Sequence, residues 1–139
     1  MKVMVIDGQG GGLGRQLVAA IKARLPQAAV LAVGTNSTAT TAMLRAGADQ
    51  AATGENAVVV GCRSADAIVG PVGIVIADAM LGEITPKMAV AVGQSKAGRI
   101  LIPVHQCDNI VAGAQDQPMA RLVQSAVDAL EELDGCRQA

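Results

Sequence analysis

The segment that most constrains this chain is its first strand, turn and helix. Val3-Met4-Val5-Ile6 is a continuous apolar run, the pattern of a strand covered on both faces. It enters Asp7-Gly8-Gln9-Gly10-Gly11-Gly12-Leu13-Gly14, with five glycines in seven residues. Leu13, Leu17, Ile21 and Leu25 then recur at helical spacing until Pro26 stops the helix. Glycine loses more conformational freedom on folding than any other residue, so a plain turn would not collect five. Three stand as G-x-x-x-G-x-G. Gly8 lets the chain turn sharply off the strand end. Gly12 removes a side chain where a phosphate group approaches the backbone, and Gly14 lets the helix pack close to the sheet. Free N–H groups and the positive end of the helix then face the anion. Gly10 and Gly11 open the loop further into a nest of amides. Gly8, Gln9, Gly10, Gly11, Gly12, Leu13 and Gly14 are therefore candidate binding positions. No Lys-Ser or Lys-Thr pair follows the loop, which excludes a P-loop.

The alternation continues. Ala29-Val30-Leu31-Ala32-Val33 predicts a second strand, and Gly34-Thr35-Asn36-Ser37 a polar turn that caps a helix to about Ala46. Gly47 suits a left-handed residue past its end. A third strand is expected within Ala48–Ala52. Glu55–Cys62 contains Val58-Val59-Val60 but is assigned to a helix, because a crossover must precede the strand at Ala67–Gly70. Gly70-Pro71-Val72-Gly73 is expected as a loop, and Ile74–Leu81 as a buried helix or a strand extension. Gly82-Glu83-Ile84 is a turn, and Thr85-Pro86 starts a helix. Arg99–Val104 predicts a strand and Asn109–Ala112 a short last one. Pro118 opens a final helix with Met119, Leu122, Val123, Ala126, Val127, Leu130 and Leu133 on one face, ended by Gly135. The expected fold is α/β: a single domain over residues 1–139, with one doubly wound, mostly parallel sheet in three layers.

Composition narrows the function. The chain has no Phe, Tyr or Trp, which removes base-stacking platforms, aromatic cages and Tyr-dependent catalysis. A net charge of −1 leaves no electrostatic footprint for nucleic acid. No apolar run reaches the roughly 18 residues of a membrane helix. Cys62, Cys107 and Cys136 show neither CxxC nor zinc-ligand spacing, so no metal site is expected. Met1-Lys2 leads straight into the strand without a leader pattern, so reduced thiols in a cytoplasm are expected.

The Gly8–Gly14 spacing is similar to the short-chain dehydrogenase/reductase fingerprint, with Asp7 where that family usually carries Thr. The likeness stops before catalysis, since the family's Tyr-x-x-x-Lys pair cannot exist in a chain without Tyr. A wider resemblance rests on Val5–Gly12, Gly34-Thr35-Asn36, Ala46-Gly47-Ala48, Thr53-Gly54-Glu55-Asn56, Gly70-Pro71-Val72-Gly73 and Met80–Pro86. These segments resemble a small bacterial family catalogued as a domain of unknown function. That resemblance implies a compact Rossmann-like protein and supplies no reaction.

In an open α/β sheet the ligand lies over the carboxyl ends of the strands. Gly8–Gly14, Gly34–Ser37 and Gly70–Gly73 are expected to converge there, with Thr53–Asn56 and Glu83 in reach. Thr35, Asn36 and Ser37 stand where a dinucleotide fold usually places the acid that holds a ribose, and Gly70 and Pro71 would close the other side. The leading expectation is a small nucleotide-binding protein, with NAD, NADP and other nucleotides all open. A second is an enzyme using Glu83, Asp78, His105 or Cys107. A third is a homodimeric structural subunit built on the last helix's apolar stripe.

Overall fold

The computed structural model describes residues 1–104 and 108–139. Five strands, β1 (Lys2–Asp7), β2 (Ala29–Gly34), β3 (Gln50–Thr53), β4 (Ala67–Pro71) and β5 (Gly98–Ile102), form one sheet in the order β3-β2-β1-β4-β5. Every pairing is parallel. The central β1 is in register with β2 from Lys2↔Ala29 to Asp7↔Gly34, and with β4 from Val3↔Ala67 to Val5↔Val69. Five helices connect and cover the strands: α1 (Gly12–Arg24), α2 (Ser37–Arg45), α3 (Glu55–Gly61), α4 (Pro86–Gln94) and α5 (Met119–Gln138).

The alternation of side chains along a strand divides β1 between two cores. Val3 and Val5 pack with Leu17, Val18 and Ile21 of α1, Met43 of α2 and Val127 and Leu130 of α5. Met4 and Ile6 pack on the other face with Val58 of α3 and Met88 and Val92 of α4. A strand enclosed in this way must be apolar at every position, which is the run first seen in the sequence. The fold is the expected three-layer, doubly wound α/β, and its sheet is wholly parallel. Val58-Val59-Val60 is helical despite its strand propensity, with Val58 fully buried, because β3 and β4 lie on opposite sides of β1.

Four expectations fail. Gly70-Pro71-Val72-Gly73 is not a loop, since Gly70 and Pro71 still pair in the sheet and Val72 and Gly73 begin a 3-10 turn. Ile74–Leu81 is neither helix nor strand extension. Gly70 and Pro71 end β4, Val72–Val75 form a single 3-10 turn, and the chain then turns through Asp78, Met80, Leu81 and Gly82 at positive φ. Four left-handed residues in five cannot continue either regular element. The apolar residues that suggested one are anchors instead: Ile74 and Ile84 are each 1% exposed. Asn109–Ala112 forms no strand. Residues 109–111 are exposed, and the described sheet stops at β5. Gly135 does not end the last helix, which runs on to Gln138. Gly135 has no positive φ and an open flank, so it sits as an ordinary exposed helical residue.

The stripe on α5 is real, but its buried residues Val123, Ala126, Val127 and Leu130 face this chain's own core. The face that suggested a homodimer is thereby covered within one chain. No described helix is long and apolar enough to cross a membrane.

The approach of β4 to β1 is tight at Gly70, where an added Cβ would lie 2.5 Å from the carbonyl oxygen of Ile6. Backbone in the middle of a sheet cannot retreat. Gly70→Ala is expected to destabilise the fold by about 2 kcal/mol, read from the urea midpoint by far-ultraviolet circular dichroism.

Candidate functional site

The site is built around an acid. Asp7 ends β1 at 6% exposure, and its carboxylate reaches forward into the glycine loop. Oδ1 accepts the Gly8 N–H at 2.8 Å and Oδ2 the Gly14 N–H at 2.7 Å, so one side chain ties both ends of the loop. Burial pushes this carboxyl above its ordinary range. The two amides pull it back in part, and the nearby Glu83 charge pushes it up again.

The loop's glycines divide into two kinds. Gly11 needs its lack of a side chain twice over: it has φ 73 at the start of α1, and a Cβ would lie 2.9 Å from the Cα of Ala39. Gly14 lets α1 settle against Met43 and Asp7, since its Cβ would lie 2.6 Å from the Met43 sulfur and 2.8 Å from the Asp7 Cβ. Gly8 is crowded by Thr35 Oγ1 and the Met80 sulfur. Gly10 and Gly12 are different. Neither has a positive φ, and a Cβ on either would meet nothing within 4 Å.

The amides divide in the same way. Those of Gly8 and Gly14 go to Asp7, that of Gly11 to the Gly8 carbonyl, and that of Gln9 to Glu83. The N–H groups of Gly10, Gly12 and Leu13 have no partner among the described residues. Helix geometry leaves the first N–H groups of α1 without an intrahelical acceptor.

These amides border a cleft of about 380 Å³ over the carboxyl ends of β1 and β4. That is where the chain order reverses in the sheet, the position at which open α/β sheets hold ligands. Asp7–Leu13 and Gln16 form one wall, and Pro71, Gly73, Ala79, Met80, Leu81, Val104 and Met119 the other. Gly70 lies buried beneath it in β4.

Thr35 and Asn36 reach the same region but not the cleft. Glu83 crosses from the loop before α4, and its Oε1 accepts from Thr35 Oγ1 at 2.6 Å, Asn36 Nδ2 at 2.7 Å and the Gln9 N–H at 3.0 Å. Burial raises the Glu83 carboxyl, but the hydrogen bonds from Thr35, Gln9 and Asn36 outweigh it and hold the group below its ordinary value. Asn36 also donates to the Gln9 carbonyl and caps α2 through Oδ1 on the Ala39 N–H. Ser37 lines a separate shallow hollow on α2 with Thr41 and Arg45. Thr53 pairs with Thr40, and Gly54 precedes α3 without reaching the cleft.

Asp78 is exposed on the turn. His105 and Cys107 lie outside the described residues. Among the described cysteines, Cys62 is buried, which pushes its thiol up and makes it a poor nucleophile. Sequence reasoning overlooked Asp7 as the loop's acceptor, although a lone acid closing an apolar strand was the available signal. It also overlooked the wall of Met80, Leu81, Val104 and Met119, whose spacing in sequence carries no sign of it.

A family model described as a domain of unknown function (DUF3842) matches residues 2–134. No curated protein matches the chain. A nucleoside-diphosphate-sugar epimerase from Pseudomonas aeruginosa is similar in structure at TM-score 0.50 and 16% identity, over 95% of this chain and 46% of that one. The chain thus spans about half of that protein. A dodecameric FMN-dependent UbiX-like decarboxylase from Escherichia coli O157:H7 matches at TM-score 0.45 and 19% identity, over 96% of this chain and 77% of that one. At these identities the likeness is one of fold.

Two predictions follow from the carboxylates. Asp7→Asn turns an amide donor toward a loop N–H, and is expected to destabilise the protein by about 1–3 kcal/mol in urea unfolding. Glu83 has a folded pKa below its unfolded one, so its contribution is present above the unfolded value and lost as pH falls through the folded value. The stability gap between wild type and Glu83→Gln should therefore be open at neutral pH and close in acid, as measured by unfolding midpoints across pH.

Proposed function

The chain belongs to the DUF3842 family, and from its own geometry we propose that it binds a phosphorylated nucleotide at the turn between β1 and α1. The phosphate lies on the N–H groups of Gly10, Gly12 and Leu13 at the positive end of α1. Gly8, Gln9, Gly11 and Gly14 shape the loop around it. Pro71 borders the ligand from β4, with Gly70 behind. Thr35 and Asn36, bound to Glu83, stand at the β2 side of the crevice, while Ser37 faces a separate hollow on α2. The ligand class is the nucleotides, from which NAD, NADP, FAD and the mononucleotides are the candidates to be tested.

One observation carries this reading. Gly10 and Gly12 are glycines that neither backbone conformation nor packing among the described residues requires, beside N–H groups without partners among those residues, at the mouth of a cleft at the switch point of the sheet. Gly12 opens α1 where neither φ nor packing calls for glycine, so its use there favours an occupant that needs the space. The similar folds of the epimerase and the decarboxylase, the one named for its nucleoside-diphosphate-sugar substrate and the other for FMN, do not set the ligand. The loop's own geometry is what supports it.

The test is a thermal-shift series with AMP, ATP, NAD, NADP and FAD on wild type and Gly12→Val. At least one nucleotide is expected to raise the wild-type midpoint. Gly12→Val should keep the ligand-free stability within about 0.5 kcal/mol, because its Cβ enters open space, and should lose the shift. Silence from all five, or an undiminished shift in the variant, would overturn the reading.

A further inference from the structure

Resting on the phosphate site just proposed, we infer that the cleft takes a mononucleotide, one phosphate monoester carrying one ring system, and that Glu83 shuts out pyrophosphate-linked dinucleotides. A dinucleotide on a sheet of this order spans the crevice and places its adenosine ribose at the end of the second strand. Here the donors at that end are engaged. A single oxygen, Glu83 Oε1, accepts from Thr35 Oγ1, Asn36 Nδ2 and the Gln9 N–H. The remaining Asn36 oxygen caps α2. A ribose arriving there finds those donors spent on the carboxylate, and to use them it would have to displace Glu83 Oε1 and give up three hydrogen bonds, more than one new hydroxyl contact returns.

The open half of the crevice lies on the other side of β1. Its outer wall comes from Pro71, Met80, Leu81, Val104 and Met119, and no residue of the 34–37 turn lines it. That wall is almost wholly apolar. It suits the face of one ring, with the phosphate at the amide end, better than a second charged sugar phosphate.

Charge points the same way. Among the described residues that line the cleft there is no Lys or Arg, and Asp7 lies directly behind the loop. The free amides of Gly10, Gly12 and Leu13 are enough donors for one phosphate. A pyrophosphate would bring a further negative group toward Asp7 and Glu83 with no Lys or Arg among the described lining residues to meet it.

Glu83 is thus a specificity-determining residue that works by occupying a subsite. Its test is isothermal titration of wild type, Glu83→Ala and Gly12→Val with AMP, NAD, FMN and riboflavin. Wild type should bind AMP and FMN, riboflavin about tenfold more weakly than FMN, and NAD about a hundredfold more weakly than AMP. Glu83→Ala should narrow the gap between AMP and NAD by about tenfold, by tightening NAD. Glu83→Gln, a weaker acceptor in the same place, should narrow it in the same direction and stands in if the alanine variant does not fold. NAD binding wild type as well as AMP does, or a gap unchanged in a folded Glu83 variant, overturns this inference and leaves the phosphate site standing. Should none of the four ligands bind, or Gly12→Val bind them undiminished, the phosphate site falls and the inference with it.

Discussion

The structure of the site depends on one side chain holding two main-chain amides. Asp7 is the last residue of the central strand, and it grips the first and last glycine of the loop that follows. Between those two points the chain turns through a left-handed Gln9, at a conformational cost, and a left-handed Gly11, where glycine meets no steric penalty. The grip fixes where α1 begins relative to the sheet. It also decides which amides are spoken for, so that the three left over are those at the mouth of the cleft. An acid used in this way is unusual for an anion site, because it sets a negative group behind the place where another would bind.

That arrangement has an electrostatic logic. The loop keeps its shape through hydrogen bonds to the chain's own carboxyl groups. Glu83 adds a second set from the other side, tying Gln9 to Thr35 and Asn36. A loop rich in glycine would otherwise be slack. Held by two carboxylates, it presents its free amides in a preorganised array, which lowers the ordering cost of binding. In the proposed site the binding end is made almost wholly of backbone, and the selectivity of side chains set beside it.

Much of this was legible in the sequence, for identifiable reasons. The buried strand Val3–Ile6, the i,i+4 leucines of α1 and the Thr85-Pro86 start of α4 are local signals, and local physics decides them. Even Val58–Val60 yielded, because the topology of parallel strands demanded a crossover. The segment from Ile74 to Leu81 did not yield. Its apolar residues plug the core from an irregular turn, and hydrophobicity alone cannot separate a plug from a strand. The same limit hid the site's second wall. Met80, Val104 and Met119 are separated by up to 39 positions (119 − 80 = 39) and meet only through the fold. Glu83 was visible as a carboxylate near a turn, but its three donors come from two other loops.

A last consequence concerns sulfur. Met43 lies over Gly14, Met80 over Gly8 and Met4 over Gly61, each with its thioether where the missing Cβ would be. A chain without aromatic rings fills its hollows with unbranched, polarizable tails that can shift without leaving their rotamer wells for long. Such filler is supple and also chemically soft. Peroxide would convert a thioether into a bulky polar sulfoxide. Met80, half-buried at the cleft, would be reached long before the fully enclosed Met4 and Met43. Oxidative wear on this protein should therefore begin at its binding mouth while the core remains intact.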